Sequence, residues 1–242
     1  MTAPAGIDRD GAAVKTTASP LPGNPIVDKA VMAVTGAFLA MFIFAHLIGN
    51  LKIFLGHGHL DAYGEWLRDV GQPFLPRTVL LWGFRIVLTA AFVLHIRAAI
   101  RVVRRNRMAT GGRQRPAATG GTPVQRYAAA TMPMTGVIVA LFLVFHLLDL
   151  TWGTANPGFR RGAVERNLIA SLDRWPVAVI YSLAVMALGF HLVHGVWSMF
   201  SSVGFHGRRI DNVRRVIATA LPAVVVLGNL AIPVAILAGW VS

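Results

Sequence analysis

Apolar residues in this chain fall in long blocks, not at the alternating spacing of strands or the one-sided spacing of soluble helices. Uncharged stretches run from Ala30 to Leu51, Tyr127 to Leu148, Trp175 to Gly207 and Val216 to Ser242. A fifth, Thr78 to Ile96, is broken only by Arg85. The first four exceed the roughly 20 residues that a spanning helix needs. The pattern predicts five helices near 31–55, 78–102, 129–151, 176–203 and 217–240. The fold class is therefore all-α: a polytopic membrane protein whose core is helix–helix packing in lipid. Residues 26–242 form one membrane domain.

Composition agrees, with 55% apolar residues, too many for a soluble domain of this length. The first 25 residues differ. They are rich in Ala, Gly, Pro and Thr and read as a disordered cytoplasmic tail; no apolar core follows a short basic start, as a signal peptide requires. Ala109 to Thr122 reads as a flexible loop. No soluble catalytic domain and no internal repeat stand out.

The formal net charge of +13 invites a nucleic-acid reading, but its distribution opposes that. Between Arg97 and Arg126 lie eight arginines and no acid, and between Gly204 and Arg215 four arginines and one Asp. Loops 56–77 and 152–175 are milder, with two arginines against three acids and four against two. In a five-helix chain the two Arg-rich loops share a side. The positive-inside rule places them and the N-terminus in the cytoplasm, with the protein in the cell membrane. The arginines set topology, contact anionic lipid and offer a docking face for a cytoplasmic partner.

Histidines change the picture most. His46, His95, His146 and His191 each lie in a different apolar segment. A titratable, metal-ligating side chain at that depth is a functional candidate. His46 is about nine residues, roughly 14 Å, from the outer end of its predicted helix, and His146 is also near an outer end. His95 is about seven residues, roughly 10 Å, from an inner end, and His191 and His194 share the inner half of the fourth helix. Depth thus pairs His46 with His146 and His95 with His191 or His194. The competing reading is histidines that only hydrogen-bond a neighbouring helix. Four at paired depths argue for redox cofactors hung in a four-helix bundle. His57, His59 and His206 lie in loops or at helix ends and are expected to be solvated. There are no cysteines, so the chain holds no c-type haem and no iron–sulfur cluster on its own thiolates; haem b with two axial histidines needs nothing more. Gly49 and Gly195 follow on the faces of His46 and His191, where the missing side chain lets either a flat macrocycle or a neighbouring helix approach closely. Trp66, Trp82, Trp152 and Trp175 fit an interfacial aromatic belt.

Several runs together resemble a known family: Ala45-His46-Leu47-Ile48-Gly49-Asn50-Leu51, Leu60-Asp61-Ala62-Tyr63-Gly64-Glu65-Trp66-Leu67, Val93-Leu94-His95-Ile96, Val144-Phe145-His146-Leu147 and Phe190-His191-Leu192-Val193-His194-Gly195-Val196-Trp197-Ser198. They are similar to the cytochrome b558 membrane anchor of succinate dehydrogenases and fumarate reductases, over about 31 to 205. The resemblance implies five helices and two b haems, docked to a flavoprotein subunit and an iron–sulfur subunit. Electrons from succinate then reach a quinone, often menaquinone, or run in reverse. It implies His46, His95, His146 and His191 as the haem ligands, which by depth makes His46 and His146 the outer pair and His95 and His191 the inner one; His194, on the face of His191, is then left for a propionate or quinone. Some fumarate reductases carry a proton-moving Glu two residues before the ligand of the fourth helix; here that residue is Gly189.

A variant keeps the anchor but replaces the inner haem by a Rieske-type [2Fe-2S] cluster, its two cysteines coming from a partner subunit. The alternative from another class is a transporter or structural protein with satisfied histidines. Quinone candidates are Lys52, Glu65, Trp66 and Arg68 near the outer face, and Arg97, His194, Trp197 and Ser198 near the inner. Arg85, the one full charge in the Thr78 to Ile96 stretch, is expected either to pair with an outer-haem propionate or to snorkel.

Overall fold

The computed structural model describes residues 24–109, 122–202 and 208–241. The expected N-terminal tail, most of the 109–122 loop and His206 lie outside the described residues. Seven helices fill the described chain: α1 (Pro25–Asn50), α2 (His59–Asp69), α3 (Val79–Ala109), α4 (Pro123–His146), α5 (Val164–Leu172), α6 (Trp175–Ser202) and α7 (Arg208–Leu237). Five of them, α1, α3, α4, α6 and α7, are long and apolar enough to cross a membrane. They are the five that hydropathy predicts, extended at several ends. α3 runs on to Ala109, so His95 lies deeper than expected. The words outer and inner below follow the orientation that the loop charges predict.

The long helices begin where local chemistry starts them. Asn24 accepts a hydrogen bond from the Ile26 amide ahead of Pro25, and Thr122 with Gln125 makes a capping box ahead of Pro123. Each pairing of polar cap and first-turn proline serves amides that the helix leaves without partners. Asp28, buried in the first turn of α1, takes Arg105 at 2.6 Å and Arg101 at 3.4 Å from the last turns of α3. That ties the inner ends of α1 and α3.

α6 is the hub. It packs along α4, α7 and α1, while α1 packs along α3 and also meets α7. Small residues set the spacing. A side chain at Gly189 would strike Val226 of α7, and one at Gly228 would lie 2.8 Å from Leu47 of α1. Close approach of this kind is how helices associate where lipid removes the hydrophobic drive. The outward faces are lined by exposed Val, Ile, Leu and Phe.

A repeat runs through the bundle that the sequence alone does not announce. Met32, Thr35, Gly36, Ala40, Phe42, His46 and Leu47 of α1 recur, one hundred positions later, as Met132, Thr135, Gly136, Ala140, Phe142, His146 and Leu147. Ala91 and His95 of α3 recur as Ala187 and His191 of α6. The packing follows: α1 lies on α3 as α4 lies on α6. Each half is a spanning helix, a short helix and a second spanning helix. α7 stands outside the repeat.

The short helices, which hydropathy read as loops, meet at the outer end. α2 starts at Gly58 and α5 after Ala163, neither of which has a capping side chain. Each borrows one from the other: Glu165 accepts from the Gly58 amide at 2.9 Å, and Asp61 accepts from the Glu165 amide at 2.9 Å. Beneath this clasp Ile53, Leu60, Leu168, Leu172, Tyr181 and Ile236 form an apolar plug.

Candidate cofactor site

The repeat brings the four membrane histidines together as two facing pairs. His46 on α1 and His146 on α4 have ring centroids 6.0 Å apart, with planes at 87°. His95 on α3 and His191 on α6 are 6.4 Å apart at 70°. Each pair joins equivalent positions of the two halves. The ring that faces His95 is His191, whereas His194 lies one turn further on, half-buried. Gly36 touches the inner pair and His46 belongs to the outer one. Ten residues of α1 thus separate the two levels, about 15 Å.

These spacings bear on what can sit between the rings. An imidazole nitrogen lies about 2.0–2.1 Å from a first-row metal, so two opposed rings on one metal have centroids roughly 6.3 Å apart. Both pairs lie close to that value. Among the described residues no group of three or more His, Cys, Asp or Glu gathers to hold a metal. Each pair offers two donors only, the number needed by a metal whose remaining ligands come from a macrocycle, as in haem.

Neighbours orient the rings. His95 Nδ1 lies 3.1 Å from the Met32 carbonyl and 3.3 Å from Thr35 Oγ1, whose own proton goes to the Val31 carbonyl at 2.6 Å. With Nδ1–H donating there, Nε2 is left bare to bind a metal, the arrangement typical of ligating histidines. Among the described residues His191 Nδ1 is buried with no hydrogen-bond partner, and His46 is exposed on a spanning helix. Neither is a satisfied core histidine. Gly36 and Gly136 make room for the inner rings: a Cβ would lie 3.0 Å from His95 Cε1 at one and 3.3 Å from His191 Cε1 at the other. Phe42 stacks on His46 at 5.4 Å, and Phe142 lies 5.9 Å from His146.

The two glycines singled out in the sequence differ in their surroundings. Gly49 is filled by the Tyr63 ring, whose Cε1 would lie 2.5 Å from a Cβ there. Gly195 meets only Met132, at 3.9 Å. Gly36 and Gly136 were legible only through the paired Thr-Gly of the repeat.

A second polar cluster adjoins His146, one that sequence reasoning passed over. After α4 the chain makes a π-helical turn, Leu147–Thr151, which seats Asp149 in the core with no exposure. Arg174 reaches it at 2.9 Å, Tyr181 at 2.8 Å and Ser171 by a short hydrogen bond. The Tyr181 oxygen lies 3.5 Å from His146 Nδ1. The missed signal was a carboxylate inside a predicted spanning segment, which is a functional candidate by default.

The remaining candidates scatter. Lys52 sits over Tyr63 at 5.5 Å, and Tyr63 stacks on Trp66. Glu65 is paired with Arg68 and Arg77, and Arg77 also bonds Asp69 at 2.8 Å, an exposed network at the outer surface. Arg85 borders an open groove on α3 with its guanidinium 4.9 Å from the Trp82 ring. Trp197 is covered by Arg214 at 3.9 Å, a clamp between α6 and α7. Arg97 is exposed, Ser198 is half-buried, and His57 is exposed beside Glu165 at 3.4 Å.

Comparison with protein-family models, with curated proteins and with solved structures finds no match for this chain.

Proposed function

We propose that this chain is the dihaem membrane anchor and electron-transfer subunit of a succinate:quinone oxidoreductase. It would take electrons from an iron–sulfur subunit, itself joined to a flavoprotein, and pass them to a quinone, menaquinone in many members of the family it resembles. The observation that carries the reading is the two imidazole pairs, with ring centroids 6.0 and 6.4 Å apart at two levels of one bundle.

Bound haem supplies reversible one-electron chemistry. This chain's residues do the rest. His46 with His146 and His95 with His191 hold the irons. Gly36 and Gly136 let the inner rings lie against the helices, and Met32 fixes the proton of His95. The outer plug keeps bulk water from that end. Gly189 stands where some fumarate reductases carry a proton-moving Glu, and its close approach to Val226 leaves no room for a side chain, so no proton route through that position is proposed. A Rieske-type cluster in place of the inner haem fits less well. Two imidazoles on one tetrahedral iron have centroids about 5 Å apart, and the inner ring centroids are 6.4 Å apart.

The test is a reduced-minus-oxidised spectrum with a pyridine haemochrome assay on the purified protein. Two b haems per chain are expected, reduced by succinate when the soluble subunits co-purify. A chain purified intact without haem would overturn the proposal, and one haem with iron–sulfur absorption would favour the cluster.

A further inference from the structure

The two histidine pairs are related by the repeat, yet their surroundings are not. On the inner side the acceptors at His95 are neutral, a backbone carbonyl and a threonine oxygen. On the outer side the Tyr181–Asp149 pair has no counterpart. Asp149 is completely buried and Tyr181 is 8% exposed. The carboxylate accepts from Arg174, Ser171 and Tyr181. An ionised carboxylate is an acceptor only, so the Tyr181 hydroxyl donates its single proton to Asp149. The tyrosine oxygen can then meet His146 Nδ1 only as an acceptor, at 3.5 Å.

We infer that Tyr181 is a positioning residue for the outer pair. Tied to Asp149, it holds His146 with Nδ1 protonated and Nε2 bare, and makes that imidazole a stronger donor than it would be without the tyrosine. A partner that raises ligand basicity favours the oxidised metal. The outer site therefore holds an electron less tightly than it would without the tyrosine. Arg174 balances the carboxylate charge but bonds Oδ1, away from the tyrosine. The redox half of this inference rests on the haem reading above; the proton placement does not.

Tyr181→Phe is the first variant, since it removes one oxygen and leaves Asp149 with Ser171 and Arg174. In haem-free protein labelled with ¹⁵N at histidine, His146 should show the Nδ1–H tautomer in the parent and shift toward Nε2–H in the variant. In haem-loaded protein, the wave lost in His46→Ala identifies the outer site. That wave should move to higher potential in Tyr181→Phe while the inner wave stays. The expected change is about tenfold in the reduced-to-oxidised ratio, ~59 mV for a one-electron couple. Asp149→Asn should move the same wave in the same direction. An unchanged His146 tautomer together with an unmoved outer wave overturns the inference, as do two waves that move equally. A parent protein without haem would overturn the cofactor reading and leave the tautomer result to decide this one.

Discussion

Gly36→Ala and Gly136→Ala probe the inner pair in graded steps. The added Cβ would lie 3.0 Å from His95 Cε1 in the first and 3.3 Å from His191 Cε1 in the second. Carbon atoms rest about 3.5–4.0 Å apart, so the rings must retreat by at least about 0.5 Å and 0.2 Å respectively. Metal–ligand distances tolerate roughly ±0.2 Å. His95 is also held at 3.1 Å from the Met32 carbonyl, so retreat costs it that bond. With haem bound at both pairs as proposed, Gly36→Ala should therefore lose most of the inner haem, and Gly136→Ala only part of it. Overpacking of this size costs about 1–3 kcal/mol, small enough for the chain still to insert. The outer haem, ten residues away along α1, should be kept by both. Haem per chain from the pyridine haemochrome and the two waves of a redox titration read the outcome. Full retention of both haems in Gly36→Ala, or greater damage from Gly136→Ala, would refute the steric argument.

Four further outcomes are expected. His46→Ala or His146→Ala should remove the outer haem and spare the inner, with His95→Ala or His191→Ala the reverse; loss of one and the same haem in His46→Ala and His95→Ala would contradict the pairing. Asp149→Ala leaves Arg174 unpaired beside the core and should cost about 3 kcal/mol, read as a lower melting temperature in detergent; an unchanged melt would show the cluster to be dispensable. Asp61→Ala or Glu165→Ala removes the only side-chain cap of the partner helix, a loss of about 1 kcal/mol each, and should expose the 56–60 segment to protease, with an unaltered digestion pattern as the contrary result. Reversing Arg104 to Glu together with Arg208 and Arg209 should release the soluble subunits; Arg105 is left out because it holds Asp28. Co-purification of a correctly inserted mutant with all its partners at high salt would reduce these arginines to topology signals.

Hydropathy and charge are one-dimensional signals, and what they reach is correspondingly linear. They locate the five spans and pair the histidines by level, because residues of a continuous helix rise by a fixed step, but they end α3 too early and so set His95 too close to its inner end. Depth could not choose between His191 and His194, which share a face; the orientation of α6 against α3 does. α2 and α5 were missed because they are short, mixed in polarity and started by caps from one another, so their signal lies in pairs such as Asp61 and Glu165, about a hundred residues apart. Gly36 and Gly136 were passed over for Gly49 and Gly195 because nearness in sequence to a histidine is not nearness in space. Arg85 could not be assigned from its depth alone, and in the structure it lies on Trp82 toward the outer end.

The repeat also sets a timetable for biogenesis. Each ligand pair takes one residue from each half, with 100 positions between His46 and His146 and 96 between His95 and His191. At roughly 5–20 residues per second on the ribosome, a gap of that size lasts on the order of 5–20 s. His46 must therefore wait in the bilayer, unpartnered, until α4 has entered, and His95 until α6 has followed. The outer pair is complete first and the inner pair one helix later. Closure of the α2–α5 clasp falls between them, when Glu165 emerges. If the pairs hold haem as proposed, a cofactor delivered during synthesis meets the outer pair complete while the inner one is still half made.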